Sequence, residues 1–276
     1  MRLKERRDLL KLKKLKIILL SLIALYLLSG LIVYLFQEKF IFLDGSIPND
    51  YTFDLKSNYE EINLTADDGA NLNAIHFKTE NSKGVILYFH GNGGDLRRWA
   101  KVTEYYVGLD YDVIVMDYRG YGKSTGKRTE IALMSDAAMF YEYALKHYSE
   151  DEITLYGRSL GTGIAAYLAS RRHPKQLILE TPYYDFKSVA QRYYPIFPVG
   201  IALRFNFKSH IYLKDAKCPI YIFHGTEDEV VPYASAQKLY KSIPAGQATF
   251  FSIEGGKHKN LTDFEPFIKG IEGILE

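Results

Sequence analysis

The chain has 276 residues, 47% of them hydrophobic and 25% charged, which fits one globular domain plus an appendage better than two domains. Its formal charge of +2 conceals an asymmetry: residues 1–16 hold eight Lys/Arg against Glu5 and Asp8, and the remainder holds 27 basic and 31 acidic residues. The bulk of the protein is thus mildly acidic, which argues against a nucleic-acid partner, and a lone cysteine, Cys218, excludes an intrachain disulfide.

Directly after the basic segment, residues 17–36 (IILLSLIALYLLSGLIVYLF) run without a charge. A helix of that length spans about 30 Å, the thickness of a bilayer's hydrocarbon core. A cleaved signal peptide would have a shorter apolar region, roughly 7–15 residues, closed by a small-x-small site. Here the run ends in Gln37-Glu38-Lys39 with no such site, and the adjacent basic charges argue against a buried core helix. The stretch is expected to be an uncleaved membrane anchor. With the basic residues N-terminal to it, the positive-inside rule keeps that end cytoplasmic and exports the domain. Residues 37–58, with Gly45, Pro48 and several Asp/Asn, read as a linker. The anchor is therefore expected to deliver the domain and to take no part in its chemistry.

From 59 onward the pattern is that of a folded domain. Residues 61–65 and 71–78 alternate apolar and polar around Asp67-Asp68-Gly69, a hairpin signal. The uninterrupted apolar run at 85–89 predicts a strand covered on both faces, and 112–117, 153–156, 176–179, 219–223 and 248–253 predict further strands. Helical stretches at 95–107, 129–148, 160–169, 232–242 and 260–275 separate them. Alternating strands and helices imply a mostly parallel sheet with right-handed crossovers, with the antiparallel hairpin at one edge. Residues 182–217 break the rhythm. They are rich in Tyr, Phe and Pro, too long for a plain loop, and predict a small helical insertion over the end of the sheet.

The candidate chemistry centres on Gly157-Arg158-Ser159-Leu160-Gly161, a G-x-S-x-G pattern between a strand and a helix. A serine on so sharp a turn needs glycine on both sides, and the helix behind it favours developing negative charge. A nucleophilic serine also needs a base and a carboxylate to orient that base. Of seven histidines, His76, His147, His173 and His210 fall in strand, helix or insertion positions, while His90 and His224 precede glycines and read as loop braces. His258 alone follows Asp228, in a glycine-flanked loop after the last strand. The order Ser159, Asp228, His258 matches that of one particular fold. Gly122-Lys123-Ser124 looks like the end of a phosphate loop, but the glycine required five positions earlier is Asp117, so nucleotide binding is not expected.

From about Tyr59 to the end, the chain resembles the α/β-hydrolase superfamily, in its small-lid serine aminopeptidase-like or monoglyceride-lipase-like branch. The resemblance rests on HGNGG at 90–94, DYRGYGKSTG at 117–126, YGRSLGTG at 156–163, HGTEDEVVP at 224–232 and GGKH at 255–258. It implies the α/β-hydrolase fold, the triad Ser159, Asp228 and His258, and an oxyanion hole built from the backbone N–H groups of Leu160 and Asn92. It further implies a serine hydrolase that works through an acyl-enzyme, without metal or organic cofactor, on a small-molecule or lipid-like acyl ester or thioester. A peptidase or an acyltransferase with the same nucleophile are the alternatives, and a non-catalytic binding protein would have been favoured by loss of a triad member.

Overall fold

The computed structural model describes residues 2–276, with side chains from Glu5 onward. Helix α1 (Arg2–Ile41) comes first, and its apolar side chains lie exposed. It is long and apolar enough to cross a membrane. It also outruns the expected boundary: residues 37–41, read from sequence as linker, are its last turn. Gln37, Glu38 and Lys39 are good helix formers and nothing there breaks the pattern.

The domain is one eight-stranded sheet with helices on both faces. In chain order its elements are β1 (Tyr59–Thr65), β2 (Asn71–Phe77), β3 (Val85–Phe89), α2 (Leu96–Val107), β4 (Asp112–Met116), α3 (Glu130–Ala144), β5 (Ile153–Arg158), α4 (Gly161–Ala169) and β6 (Gln176–Glu180). After α5 (Phe186–Tyr193), α6 (Val199–Ala202) and α7 (Ser209–Tyr212) come β7 (Ile220–Gly225), α8 (Tyr233–Tyr240), β8 (Ala248–Ile253) and α9 (Glu265–Leu275). The strand order is β1-β2-β4-β3-β5-β6-β7-β8. Pairs β1–β2 and β2–β4 are antiparallel and all others parallel, so the hairpin forms the expected edge.

Every residue of β3, β4, β5 and β6 is buried, as expected of strands between two helical layers. On one face α2 and α9 contribute Leu96, Trp99, Phe267 and Ile271 to the core. On the other, α3 and α4 contribute Leu133, Phe140, Ile164 and Leu168. The parallel strands deliver their carboxyl ends to one rim, and the loops after β3, β5, β7 and β8 meet there.

Residues 42–58 lie against the domain. Phe42, Ile47 and Phe53 are buried, and the segment is pinned at Gly122, whose N–H donates to Gly45 O at 2.9 Å and whose carbonyl accepts from Ile47 N at 3.0 Å. Lys123, the lysine of the phosphate-loop look-alike, is likewise structural: its Nζ sits 2.7 Å from Glu61 Oε1 and from Tyr51 O. Cys218 is buried, and burial pushes its thiol up to about 11, as expected of an inert residue.

Candidate active site

The turn after β5 is held by close backbone approach. A Cβ at Gly157 would stand 2.7 Å from Gly161 O and from Thr162 Cα, and one at Gly161 would stand 2.0 Å from Phe89 O. Only hydrogen fits at either position, which is why the two glycines bracket the serine. Ser159 itself takes φ 49°, a left-handed conformation costly to a residue with a Cβ. The turn is fixed by Ser159 N donating to Glu180 O at 2.9 Å. Glu180 is in turn buried beside Arg158 (3.2 Å) and accepts from Tyr156 Oη at 2.8 Å.

Two other loops are locked to each other. A Cβ at Gly225 would meet Gly256 O at 2.0 Å, and Glu227 N donates to Gly256 O at 2.9 Å. This contact carries Asp228, after β7, to His258, after β8. His258 Nδ1 lies 2.8 Å from Asp228 Oδ2, and its Nε2 lies 2.9 Å from Ser159 Oγ. The sequence-expected residues Ser159, His258 and Asp228 therefore form one hydrogen-bonded line. Glu227 and Glu229, the acidic neighbours of Asp228, are not part of it.

The electrostatics assign the protons along this line. Burial alone would raise the Asp228 pKa, but hydrogen bonds from His224 and His258 outweigh it and hold the carboxyl well below the usual carboxylate range. Its other oxygen, Oδ1, accepts from Val230 N and Val231 N, both at 2.8 Å. A carboxylate so held is ionised, so His258 carries its proton on Nδ1 and presents a bare Nε2 to the Ser159 hydroxyl. His224 Nε2 sits 2.9 Å from Val231 O and 3.2 Å from Asp228 Oδ2, bracing the acid loop. His90 is the corresponding brace of the first loop: buried, stacked on Trp99, with Nε2 3.3 Å from Asp117 Oδ1.

Leu160 and Asn92 both line the cavity that Ser159 faces. Among the described residues, neither backbone N–H donates to a protein acceptor. Leu160 is the N-cap of α4, so its N–H lies at the positive end of that helix's dipole. The side chain of Asn92 does separate work. Its Oδ1 accepts from Leu43 N at 2.9 Å and from Tyr121 Oη at 2.7 Å, and its Nδ2 donates to Ile41 O at 2.5 Å.

Those bonds tie Ile41 and Leu43, at and just past the end of α1, to the site. The cavity, of about 320 Å³, is walled by Phe40, Ile41 and Leu43 on one side. Phe186, Val189 and Tyr193 of the insertion face them. Sequence reasoning missed these six residues, reading the insertion only as a small helical segment over the end of the sheet. The missed signal lay in α1: Tyr26, Gly30, Tyr34 and Gln37 interrupt a Leu/Ile-rich span at spacings that fall on one helix face.

The family described as Serine aminopeptidase, S33 matches residues 80–205 and 209–265. Protein bem46 of Schizosaccharomyces pombe is 28% identical over 273 residues, covering 88% of this chain and 90% of that protein. Lysophosphatidylserine lipase ABHD12 of Danio rerio is 32% identical over 209 residues, covering 65% of this chain and 55% of the relative. The chain thus spans about half the length of the ABHD12 relatives it matches. Among solved structures, the Pyrococcus furiosus esterase Pf2001 superposes with a TM-score of 0.65 at 19% identity, covering 84% of this chain and 98% of that one. That likeness is one of fold.

Proposed function

Given that the chain belongs to the serine aminopeptidase S33 family of α/β-hydrolases and is a serine hydrolase, we propose that it cleaves lipid-like carboxylic esters through an acyl-enzyme on Ser159. The observation that carries this reading is the continuous line Ser159–His258–Asp228 beside two unengaged backbone donors. In this scheme Ser159 Oγ attacks the acyl carbon while its proton passes to His258 Nε2. The carbonyl oxygen becomes an oxyanion and accepts from Leu160 N and Asn92 N; two preorganised donors of this kind are worth several kcal/mol because they need not reorient as charge develops. Collapse expels the alcohol with the proton from His258. Water, deprotonated by the same nitrogen, then attacks the acyl-enzyme and releases the acid. Asp228 holds the imidazolium that forms in each half.

The apolar cavity and the lysophosphatidylserine lipase relatives both favour a lipid-like acyl group over a peptide. In this reading residues 17–36 span the bilayer, residues 1–16 stay cytoplasmic, and residues 59–276 form the catalytic domain on the opposite side, with 182–217 as a small lid. The test is a panel of acyl esters, thioesters and aminopeptidase substrates, assayed with the full chain and its Ser159→Ala variant. Ester cleavage that depends on Ser159 supports the reading; turnover of the peptide substrates alone overturns it. A reporter active only outside the cytoplasm, fused after Glu276, should be active if the domain is exported.

A further inference from the structure

Helix α1 does not leave the domain at Ile41 and travel alone. Over its second half it is packed against the insertion between β6 and β7. The Tyr26 ring stacks on Phe197 (centroids 5.8 Å apart), and Phe40 meets Tyr194 edge-on at 6.3 Å. The polar side chains on this face bond to insertion backbone. Tyr26 Oη donates to Ile196 O at 2.9 Å, Gln37 Nε2 donates to Ala202 O at 3.2 Å, and Gln37 Oε1 accepts from Arg204 N at 2.8 Å. From within the insertion, Gln191 Nε2 donates to Pro195 O at 3.1 Å. At membrane depth irregular backbone is tolerated only where its polar groups find partners of this kind.

The insertion's composition fits the same environment. Residues 193–203 (YYPIFPVGIAL) carry no charge and are closed by Arg192 and Arg204, with Tyr193 and Tyr194 at one end. Ile196 is 69% exposed and Ile201 90% exposed, which is costly in water and favourable in lipid. An apolar stretch of this length, flanked by arginines and aromatics, is of the kind that enters a leaflet without crossing it.

Between α1 and the insertion runs a second cavity of about 240 Å³. It is bounded by Gly30, Val33 and Tyr34 on one side and by Phe197, Val199 and Leu203 on the other. It shares Phe40, Ile41, Ala190 and Tyr194 with the cavity that holds Ser159. From Phe40 to Tyr26 it follows the helix for about 21 Å, running from the end of α1 into the apolar span. Resting on the reading of Ser159 as nucleophile, we propose that this groove is the acyl-chain site. One fatty acyl chain of a membrane lipid slides from the leaflet between α1 and the insertion, and its ester carbonyl arrives at Ser159 without passing through water. The transmembrane helix is thereby one wall of the substrate site. Gly30 matters because a Cβ there would already stand 3.7 Å from the Phe197 ring, so a larger side chain fills the groove.

The test uses the full chain in phosphatidylcholine vesicles. The kcat/KM for 4-methylumbelliferyl oleate, divided by that for the butyrate ester, should fall at least tenfold in Gly30→Phe. It should stay unchanged in Leu22→Phe, an exposed position that does not line the groove. An unchanged ratio in Gly30→Phe, or an equal fall in both variants, would overturn the proposal. The second measurement uses the Ser159→Ala chain and a lysophosphatidylcholine carrying a mid-chain diazirine. Photo-adducts should map to Gly30, Val33 and residues 197–203. Adducts spread evenly around α1, including Leu25 and Leu28, would overturn it. This readout needs no turnover, so it decides the groove even if Ser159 is not the nucleophile.

Discussion

The rim of the sheet and the groove beside α1 solve opposite problems. At the rim, polar groups are held by backbone. Ser159, Asp228 and His258 each sit in a loop whose glycines permit a contact no side chain could, and the three side chains are thereby held at hydrogen-bond distances of 2.8 and 2.9 Å. In the groove, apolar surface is held by a few polar side chains: Tyr26, Gln37 and Gln191 occupy carbonyls of an irregular segment so that the rest can face lipid. Chemistry needs groups fixed within tenths of an ångström, whereas a chain that slides needs only a greasy path of constant width. The two regions should therefore respond differently to the same kind of perturbation.

The largest separation is expected from the nucleophile. Ser159→Ala should lower ester hydrolysis by ~10⁴-fold or more on both short and long esters, leaving only what the oxyanion donors supply. Thermal unfolding of the variant should match the parent. Next comes the acid: Asp228→Asn should cost roughly 10³–10⁴-fold, because it removes the charge that fixes the His258 tautomer and stabilises its imidazolium. Glu227→Gln and Glu229→Gln should stay within a few-fold, since neither carboxylate meets His258. A harmless Asp228→Asn beside a crippling Glu227→Gln would move the acid.

How far each region could be read from sequence follows from the same contrast. The rim announces itself, because a residue forced into φ 49° beside backbone 2.7 Å away needs Gly157 and Gly161 at fixed offsets, and such offsets survive in the linear order. The strands did so as well, since burial on both faces demands unbroken apolar runs. The groove does not. Its walls come from α1 and from residues more than 150 positions later, and any apolar residue serves in most places. The twenty uncharged residues of α1 revealed a span, but Tyr26, Gly30, Tyr34 and Gln37, which mark its partnered face, do not say what packs there. The end of α1 was misplaced for a related reason: Gln37, Glu38 and Lys39 are as polar as a linker, but they are helix formers, and the bonds of Gln37 and Ile41 to residues 202–204 and to Asn92 appear only in three dimensions.

Acid should divide the regions in a different way. His76 is buried with its ring nitrogens 3.1 and 2.9 Å from the hydroxyls of Tyr143 and Tyr148; burial, with Lys78 nearby, lowers its pKa from 6.5 to about 4. The unfolded chain takes up a proton near pH 6.5 that the folded domain refuses until about pH 4. His76 therefore favours the folded state fully above pH 6.5, and that contribution is lost as the pH falls to about 4, amounting to ~3 kcal/mol in all. Denaturant unfolding of the parent and of His76→Phe should show this slope in the parent and a shallower one in the variant; identical slopes would remove His76 from the account. The groove lining includes no Asp, Glu or His, so its apolar walls should not follow the same curve.

The smallest effect is expected at Tyr26. Tyr26→Phe keeps the stacking on Phe197 and loses only the bond to Ile196 O, worth ~1 kcal/mol. The long-to-short ester ratio should fall by no more than about fivefold. A loss as large as that of Ser159→Ala would mean that α1 belongs to the chemistry and that the division between the regions is false.

Both halves of the account meet in one measurement. Two fluorophosphonates, one with a short alkyl arm and one with a long one, are offered to the full chain in vesicles and to its Gly30→Phe variant, and the rate of phosphonylation at each serine is followed by mass spectrometry. The account predicts that both reagents modify Ser159, and that Gly30→Phe slows the long reagent at least tenfold relative to the short one. Modification at another serine, or equal rates for the two reagents in both proteins, would contradict it.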